Sequence, residues 1–391
     1  MNSRRHKIQK LLNDYNIQGA IVSSPENFHY VTGFSSHQHT VSRNPIFSGA
    51  VITQDVGIPA KVFAMDFEIP ALMEKNNDVD FRPYDTWVGV KKWEEINENR
   101  LVNTKENMKS WLDVLKRIVF DLSLQDQRIG LELGFINVEF YKMLVDAFPN
   151  VTFVDISNLF ILARSVKTQE EIEHIRNLTR VADEALMAAS KLVEVGNRER
   201  EVAQVFREYV TKSGFCLPSS WSTFNTGKNS SRLCLPTDTV IEEGDVFKFD
   251  GGVQGEFDFY TTDMSRSWIV GRGNAKLVEL KKSLCDAQQL MIASAKPGMP
   301  MNQLFKIGFD SVQKRHPFYE RGHLGHSISL GPQTAEAPYI SPSESRTLEV
   351  GMVLAIEVPC YIHQVGGFNI EDMVLITENG AENLTYRTPH Y

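Results

Sequence analysis

Five residues in the C-terminal half of the chain combine metal-ligating side chains with positions beside apolar runs. They are Asp250 at the end of VFKFD, Asp263 before MSRSWIV, His326 in GHLGHSISL, Glu357 in MVLAIEVP, and Glu371 at the start of EDMVLIT. Short apolar runs of this kind are typical of buried or half-buried strands. The pattern therefore places four carboxylates and one imidazole at the edges of a predicted sheet.

The charges of these residues favour metal ligation. An isolated ionised carboxylate beside a buried strand costs several kcal/mol of desolvation, and neighbouring carboxylates raise one another's pKa. Two divalent cations would balance the four negative charges, and the mixed oxygen and nitrogen donors suit Mn²⁺, Zn²⁺, Co²⁺ or Fe²⁺ better than Ca²⁺. Each acid taken singly is equally well explained as a solvent-facing residue at a strand end, but the set of five favours a metal site.

The order of these motifs resembles a known family. FDGG, YTTDMSRS, HLGH, GMVLAIEVP and GFNIEDMVLIT are similar to the metal-site series of the creatinase, prolidase and methionine aminopeptidase superfamily. The resemblance implies two divalent metal ions, with the ligands Asp250, Asp263, His326, Glu357 and Glu371. It also implies an α+β fold, in which a pita-bread catalytic domain over residues 161–391 follows a smaller α/β creatinase-type N-terminal domain over residues 1–160.

Two catalytic residues follow from the same resemblance. Glu357 is implied to carry a proton from water to the leaving amine, a general acid–base task that a carboxylate can perform. His323 matches the first histidine of an HxxGH motif, which is implied to contact the substrate or the intermediate. A surface histidine is the alternative interpretation of His323.

Departures from the proline-peptidase pattern bear on the substrate. The first two acids lie 13 residues apart, two more than the resemblance implies. Peptidases of the family carry a histidine in the segment GKNSSRLCLPTD, where this chain has Arg232, Leu233 or Cys234, and another in SLGPQTAEAP, where this chain has none. Asn369 stands where an arginine is usual. Arg232 is therefore a candidate substrate-binding residue for a carboxylate.

Three further candidates lie near the N-terminus. His37, His39 and Arg43 occur in TGFSSHQHTVSRNP, which is predicted as a loop after a strand at Tyr30–Phe34. In relatives that act on small molecules, the resemblance implies that one subunit lends side chains from this domain to its partner's site. The three residues are thus candidate substrate ligands in a homodimer, and a solvated polar loop is the alternative.

The elements around these residues alternate in the first half of the chain. Apolar runs predict strands at 19–24, 47–53, 60–66, 128–133 and 151–157. Intervening helical spacing predicts a mixed sheet covered by helices. Thr168 and Glu171 form a T-x-x-E capping box, which predicts that a long helix starts just after the domain boundary.

Composition limits the classes of function. The chain has 391 residues, of which 42% are hydrophobic and 23% charged, and its net charge of −8 disfavours nucleic acid and anionic membranes as partners. It has no run of 18 apolar residues, so no membrane span is predicted. Four widely spaced cysteines without a CxxC pair predict reduced thiols in a cytoplasmic protein.

The leading interpretation is a dinuclear metal-dependent hydrolase of an amide-type C–N bond, similar to an Xaa-Pro dipeptidase or aminopeptidase. Its substrate would be a short peptide or another small molecule. The alternative is a non-peptidase member of the fold acting on a small metabolite, by creatinase-like or ectoine-hydrolase-like hydrolysis or by lyase chemistry, which the missing histidines favour. A catalytically silent binding protein is a third class, disfavoured by the complete ligand set.

Overall fold

A computed structural model describes the protein over residues 3–75, 78–88, 93–97, 109–217, 222–328 and 330–390. The chain divides into two compact units, Met1–Ala163 and Arg164–Tyr391. A helix over Ser157–Ser165 contains this division, and it also contains the boundary predicted at residue 160. Each unit has its own sheet and its own hydrophobic core.

The sheet of the first unit has six strands. They are β1 (Gly19–Val22), β2 (Ser48–Thr53), β3 (Ala60–Met65), β4 (Val79–Tyr84), β5 (Arg128–Leu131) and β6 (Thr152–Asp155). Their spatial order is β4-β3-β2-β1-β5-β6. The pairs β1–β2 and β2–β3 are antiparallel, whereas β1–β5, β5–β6 and β3–β4 are parallel. The predicted mixed sheet is therefore confirmed.

Helices cover this sheet. They are α1 (Ser3–Asp14), α2 (Pro25–Thr32), α3 (His37–Ser42), α4 (Ile69–Lys75), α5 (Trp93–Asn97), α6 (Trp111–Asp121), α7 (Val138–Ala147) and α8 (Ser157–Ser165). Helix α6 begins at a capping box formed by Ser110 and Asp113. Its Leu115 packs in the core of the unit with Phe140 and Leu144 of α7. Burial of these apolar faces joins the helices to the strands.

The strand predicted at Tyr30–Phe34 is wrong, and the segment is helical. Ser24 accepts a hydrogen bond from the backbone of Asn27 as the N-cap, and Pro25 occupies the first turn of α2. Gly33 ends the helix in a left-handed conformation with φ of 82°, which favours glycine. The loop predicted to carry His37 and His39 is the short helix α3. Local capping thus outweighed the apolar run that suggested a strand.

The second unit is built on antiparallel strands. They are β7 (Thr223–Thr226), β8 (Val246–Gly251), β9 (Met264–Ile269), β10 (Gly325–Ile328), β11 (Ala335–Tyr339), β12 (Val353–Glu357), β13 (Cys360–Ile362), β14 (Gly366–Phe368), β15 (Glu371–Thr377) and β16 (Gly380–Asn383). The main sheet has the order β11-β10-β12-β15-β9-β8-β7, and β16 pairs with β15. The strands β13 and β14 form a separate hairpin.

Four long helices accompany this sheet, namely α9 (Gln169–Ser190), α10 (Glu199–Lys212), α11 (Ala275–Ser294) and α12 (Met301–Gln313). The predicted capping box of Thr168 and Glu171 is confirmed at the start of α9. Leu284 of α11 and Leu304 of α12 share a core with Ile356 and Val374 of the sheet. The predicted α+β fold class is confirmed. The helices pack into the core, and the ends of the strands carry the predicted site residues. None of the helices in the described ranges is both long and apolar enough to cross a membrane.

Candidate metal centre

The four predicted acids lie at strand ends that the sheet brings together. Asp250 is near the end of β8, Asp263 immediately precedes β9, Glu357 ends β12, and Glu371 begins β15. In the register of the sheet, Glu357 lies directly opposite Glu371, and both Glu371 and Asp250 lie opposite Ser265. All four carboxylates are buried. Antiparallel pairing therefore collects residues that are far apart in the sequence.

Three of the predicted ligands form a compact donor set. One potential ligand atom from each of Asp263, His326 and Glu371 lies within 4.8 Å of the other two. The His326 Nε2 atom is 3.7 Å from Asp263 Oδ2 and 3.7 Å from Glu371 Oε1. His326 Nδ1 lies 3.1 Å from the carbonyl oxygen of Ser327. That partner favours a proton on Nδ1, which leaves the lone pair of Nε2 available to a metal.

Electrostatics in this donor set favour a bound cation. Burial, followed by the charges of Asp263, Glu357 and Asp250, raises the pKa of Glu371 well above its usual range. Burial also raises the pKa of Asp250 and lowers the pKa of His326, so that its imidazole stays neutral. Anionic carboxylates here need a positive charge. Two carboxylates and a neutral imidazole fit a divalent transition metal.

Glu357 is held by two side chains on the chain segment that enters β10. Arg321 Nη2 lies 3.3 Å from each carboxylate oxygen of Glu357, and His323 Nδ1 lies 3.2 Å from Oε1. Burial alone would raise the pKa of Glu357, but His323 and the charge of Arg321 lower it below its usual value. The Glu357 side chain is therefore an ionised carboxylate next to the donor set.

Asp250 has a cationic neighbour on its own strand. Lys248 Nζ lies 3.9 Å from Asp250 Oδ2, and the Lys248 side chain is fully buried. The same ammonium lies 4.7 Å from the ring centroid of Tyr361 and donates to the carbonyl oxygen of Arg232 at 3.4 Å. The Lys248 side chain is therefore fixed from three directions, and burial lowers its pKa, against the opposing effect of the Asp250 charge.

Neutral side chains complete the surroundings. Thr334 donates a hydrogen bond to Asp263, and Asn369 donates to Glu371 Oε2 at 3.2 Å. The ring of Tyr339 lies with its centroid 5.4 Å from that of His323 and 6.3 Å from that of His326. An aromatic surface therefore borders the two histidines.

Hydrogen bonds from buried side chains fix the start of β15. The fully buried Arg266 donates to the carbonyl oxygen of Glu371 at 2.7 Å and to Asp372 Oδ1 at 2.8 Å. Gln288 of α11 donates to the other oxygen of Asp372 at 2.7 Å. These charge-assisted bonds fix the backbone from which the Glu371 side chain projects.

The cysteines near the centre behave as thiols. All four cysteines are free. Burial raises the pKa of Cys360 to about 11 and also raises that of Cys234. Neither is activated as a nucleophile, because nucleophilic attack requires the thiolate.

Arg232, which was predicted to bind a substrate carboxylate, lies at the C-terminal end of the 3₁₀ helix Gly227–Ser231.

The N-terminal candidates are held within their own unit. His39 is 0% exposed, and its Nε2 atom lies 2.7 Å from the carbonyl oxygen of Ser23. Arg43 donates to both oxygens of Glu26, at 2.5 and 3.2 Å, and its guanidinium lies 5.6 Å from the Phe135 ring centroid. His37 is exposed. The burial of His39 argues against the predicted substrate contact, because no atom of its ring is available to a ligand.

Two charged residues at the centre were not predicted. Lys248 is two residues before Asp250, so strand alternation places both on one face of β8, a signal that the sequence contained. Arg321 is two residues before His323, outside regular structure, and no periodicity indicated its direction. The contacts of Thr334 and Tyr339 also depend on the pairing of β10 with β11, which the sequence does not reveal.

Comparisons with known proteins agree with this geometry. Residues 173–378 match the model of metallopeptidase family M24, and residues 4–166 match that of the creatinase/prolidase N-terminal domain. The chain is 30% identical to an Xaa-Pro dipeptidase of Pyrococcus furiosus, over 98% of both chains. It is 28% identical to an Xaa-Pro dipeptidase of Lactobacillus helveticus, over 97% of this chain and 96% of that one.

A solved structure gives the same result for the fold. The prolidase from Pyrococcus furiosus superimposes with a TM-score of 0.76 and 26% identity, covering 97% of this chain and 100% of that chain. The similarity spans both units of the sequence. The predicted resemblance to the creatinase and prolidase superfamily is confirmed.

Proposed function

The chain belongs to metallopeptidase family M24 and is a metal-dependent hydrolase, and from that premise we propose that it is a dipeptidase that cleaves the amide C–N bond of Xaa-Pro dipeptides. One observation carries the proposal. Asp263, His326 and Glu371 are buried and place one donor atom each within 4.8 Å of the others. The full-length similarity to two Xaa-Pro dipeptidases supports the substrate class.

The proposed cofactor is a pair of divalent ions, Mn²⁺, Zn²⁺, Co²⁺ or Fe²⁺, with manganese as the first to test. Asp263 and Glu371 would contact both ions, Asp250 would complete the ligands of one ion, and His326 with Glu357 would complete those of the other. Bound ions would polarise the scissile carbonyl group and lower the pKa of a water molecule. The buried oxygen and nitrogen donors described above match the preferences of these metals.

Glu357 is proposed as the general base and acid. Its lowered pKa keeps it ionised near neutral pH, so that it accepts a proton from the attacking water and then returns it to the leaving amine nitrogen. The carboxylate is 6% exposed, which limits exchange of that proton with bulk water. Its position at the end of β12, opposite Glu371 in the sheet, keeps it beside the donor set.

His323 is proposed to act on the same step. Its imidazole contacts Glu357 through Nδ1, and the side chain is 34% exposed. It therefore reaches both the buried base and the solvent side, where a substrate would enter. We propose that His323 orients the Glu357 carboxylate and donates a hydrogen bond to the developing negative charge of the intermediate.

The assembly and the location of the protein are also proposed. A homodimer and a cytoplasmic location accord with the family assignment, and the four free cysteines suit a reducing compartment. Light scattering coupled to size-exclusion chromatography would measure the mass of the assembly. A mass of about one chain would contradict the dimer.

The activity test compares substrates of graded size. Protein stripped with EDTA and reloaded with Mn²⁺, Zn²⁺, Co²⁺ or Fe²⁺ is assayed against Xaa-Pro dipeptides, Xaa-Pro tripeptides and small amides. We expect metal-dependent turnover that is highest on Xaa-Pro dipeptides. Turnover of small amides without any cleavage of Xaa-Pro bonds would replace this proposal with the small-metabolite alternative.

A further inference from the structure

Residues 385–390, which follow β16, are hydrogen-bonded to the start of β15. The Thr385 hydroxyl donates to Asp372 Oδ1 at 2.7 Å and accepts from the backbone N–H of Met373 at 3.1 Å. Asp372 and Met373 come directly after the proposed ligand Glu371 in β15. The 385–390 segment therefore contacts the two residues that follow a proposed metal ligand.

Arg266 joins the same segment to the backbone of Glu371. Its guanidinium is buried, and it donates to the carbonyl oxygens of Thr385 and Thr388 and to that of Glu371 at 2.7 Å. Its other two N–H groups are taken up by Ser265 and Asp372. All five donors of the guanidinium are thus in use. If the segment moved away, two buried donors would lose their acceptors, unless the guanidinium moved with it and disturbed Glu371.

Asp183 holds the segment from helix α9. This acid is 0% exposed, and its two carboxylate oxygens accept from the backbone N–H groups of Arg387 at 2.7 Å and Thr388 at 2.9 Å. The Thr388 hydroxyl donates in turn to the carbonyl oxygen of Asp183 at 3.1 Å. Because Leu178 and Ala182 bury the same helix in the fold, α9 is a fixed support. Asp183 therefore sets the position of Thr388, whose carbonyl group binds Arg266.

His390 adds a further attachment of the segment. Its Nε2 atom lies 3.1 Å from Asp372 Oδ2, the oxygen that also accepts from Gln288 at 2.7 Å. The segment is therefore attached to α9 through Asp183 and to the start of β15 through Arg266 and Asp372.

We propose that Asp183 is a positioning residue for the metal ligand Glu371. It fixes the 385–390 segment, which fixes Arg266 and Asp372, and these two residues hold the backbone from which the Glu371 side chain projects. This inference rests on the proposed function, which makes Glu371 a metal ligand. It predicts that the affinity for the metal depends on a side chain of α9 that acts through the backbone of β15.

The test is a Mn²⁺ titration of the full-length, EDTA-stripped protein by isothermal calorimetry. Asp183→Asn removes one of the two oxygen acceptors at nearly constant volume. The Kd of the first Mn²⁺ ion should become roughly tenfold weaker, because partners that orient metal ligands typically change the affinity by about 10- to 100-fold. Saturating Mn²⁺ should restore most of the turnover, since Asp183 acts on the affinity for the ion and not on the proton transfer.

Glu199→Gln is the matched control in the same unit. Glu199 lies on α10, is also 0% exposed, and accepts from the backbone N–H groups of Thr226 and Thr237 at 2.8 Å each. Thr226 ends β7, and Thr237 lies in the segment before β8. Loss of this acceptor should lower the melting temperature as Asp183→Asn does, but it should leave the Kd for Mn²⁺ unchanged.

A second pair of variants tests the other end of the segment, and it replaces Asp183→Asn if circular dichroism shows that this variant does not fold. Thr385→Val keeps the shape of the side chain but removes the hydroxyl that contacts Asp372 and Met373, so it should also weaken the Kd for Mn²⁺. Thr385→Ser retains the hydroxyl and should bind Mn²⁺ with the wild-type Kd.

A wild-type Kd for Mn²⁺ in folded Asp183→Asn or in Thr385→Val would overturn the inference. An equal loss of affinity in Glu199→Gln would overturn it as well, because the effect would then follow from lost stability in general. The proposed function stands in these cases if Xaa-Pro dipeptides are still cleaved. If Asp183→Asn weakens Mn²⁺ binding but the wild type cleaves no Xaa-Pro bond, the proposed function is wrong and the inference stands.

Discussion

Glu132 in the first unit and Glu371 in the second are equally buried, at 2% exposure each, but their surroundings differ. Glu132 accepts hydrogen bonds from the backbone N–H groups of Ser23 and Ser24, from the Ser24 hydroxyl and from the Asn27 amide, at 2.5 to 2.9 Å. Glu371 accepts a side-chain hydrogen bond from Asn369, and its other neighbours among the described residues include carboxylates.

This difference separates a structural carboxylate from a functional one. Neutral donors satisfy the Glu132 charge, and the cost of burying it is offset within the fold. At Glu371, burial and the neighbouring acids raise the pKa, so the fold leaves an acid whose negative charge a metal can satisfy. Burial alone does not identify a site, whereas burial among like charges does.

The largest expected effect comes from removing a metal ligand. Glu371→Gln should lower kcat/KM for an Xaa-Pro dipeptide by about 10⁴-fold, because several kcal/mol of charge stabilisation are lost with the ion. The melting temperature of the metal-free protein should not fall, since a repelling buried charge is removed. Steady-state kinetics and scanning calorimetry measure these two quantities, and elemental analysis checks that the ion is lost. If the metal-free variant unfolds at a lower temperature than the metal-free wild type, Glu371 stabilises the fold as Glu132 does, and the proposed difference between the two residues is wrong.

Removing the proposed base should have a slightly smaller effect. Glu357→Gln should lower kcat by about 10²- to 10⁴-fold, the usual range for loss of a general acid–base. Because Glu357 is also a predicted metal ligand, elemental analysis should accompany the kinetics and measure the metal content of the variant. Unchanged turnover would show that another group carries the proton.

The structural carboxylate should give the opposite result. Glu132→Leu leaves the backbone donors of Ser23 and Ser24 buried without an acceptor, which should lower the free energy of unfolding by about 3–5 kcal/mol. Mn²⁺ uptake by the folded fraction should be unchanged. Denaturant unfolding measures the difference, and Glu139→Gln on the exposed face of α7 is the control. Loss of metal binding in a folded Glu132→Leu protein would refute the assignment of Glu132 as a purely structural carboxylate.

The buried His39 of the first unit extends the comparison to pH. Burial lowers the pKa of His39 to about 4, with a smaller opposing effect of the Ser23 carbonyl group. The unfolded chain therefore binds a proton below about pH 6.5 that the folded unit excludes until about pH 4. Stability contributed by neutral His39 is complete above pH 6.5 and is lost as the pH falls to 4, in total about 3 kcal/mol.

His39→Gln should remove that part of the pH dependence. Unfolding free energies measured between pH 4 and 7 should show a shallower slope for this variant than for the wild type. His37→Gln, a substitution at an exposed position of the same helix, should keep the wild-type slope. Equal slopes for His39→Gln and the wild type would contradict the assignment of His39 to the core.

The smallest expected effect is at Arg43. Because its guanidinium is already bound to Glu26 and lies over Phe135, Arg43→Ala should change KM by less than about twofold and stability by up to about 1 kcal/mol. Michaelis–Menten kinetics on an Xaa-Pro dipeptide provide the check. A large rise in KM with little change in kcat would revive the predicted contact between Arg43 and the substrate.

Local sequence was sufficient for several features. Apolar runs located the strands that carry the four acids, because burial of a sheet requires such runs. The capping box of Thr168 and Glu171 located the start of α9, because both bonds lie within four residues. Apart from the resemblance, the charges of the five residues alone favoured a divalent metal.

Helix α2 was also encoded locally, by Ser24 as the N-cap, Pro25 in the first turn and Gly33 at the end, although the apolar run at Tyr30–Phe34 suggested a strand. Other features depended on the tertiary structure. His39 and Arg43 were candidate ligands as polar residues, but Ser23 and Glu26 hold them within the fold.

At the candidate metal centre, the sequence indicated which residues are the proposed ligands, and the pairing of distant strands decided the distances between them. The opposition of Glu357 to Glu371, the Ser265 register and the ring of Tyr361 over Lys248 all join residues from separate strands. Ligand identity is a property of single residues. Which carboxylates lie near one another and which lie beside a basic side chain depends on distances of a few ångströms, and strand register sets those distances.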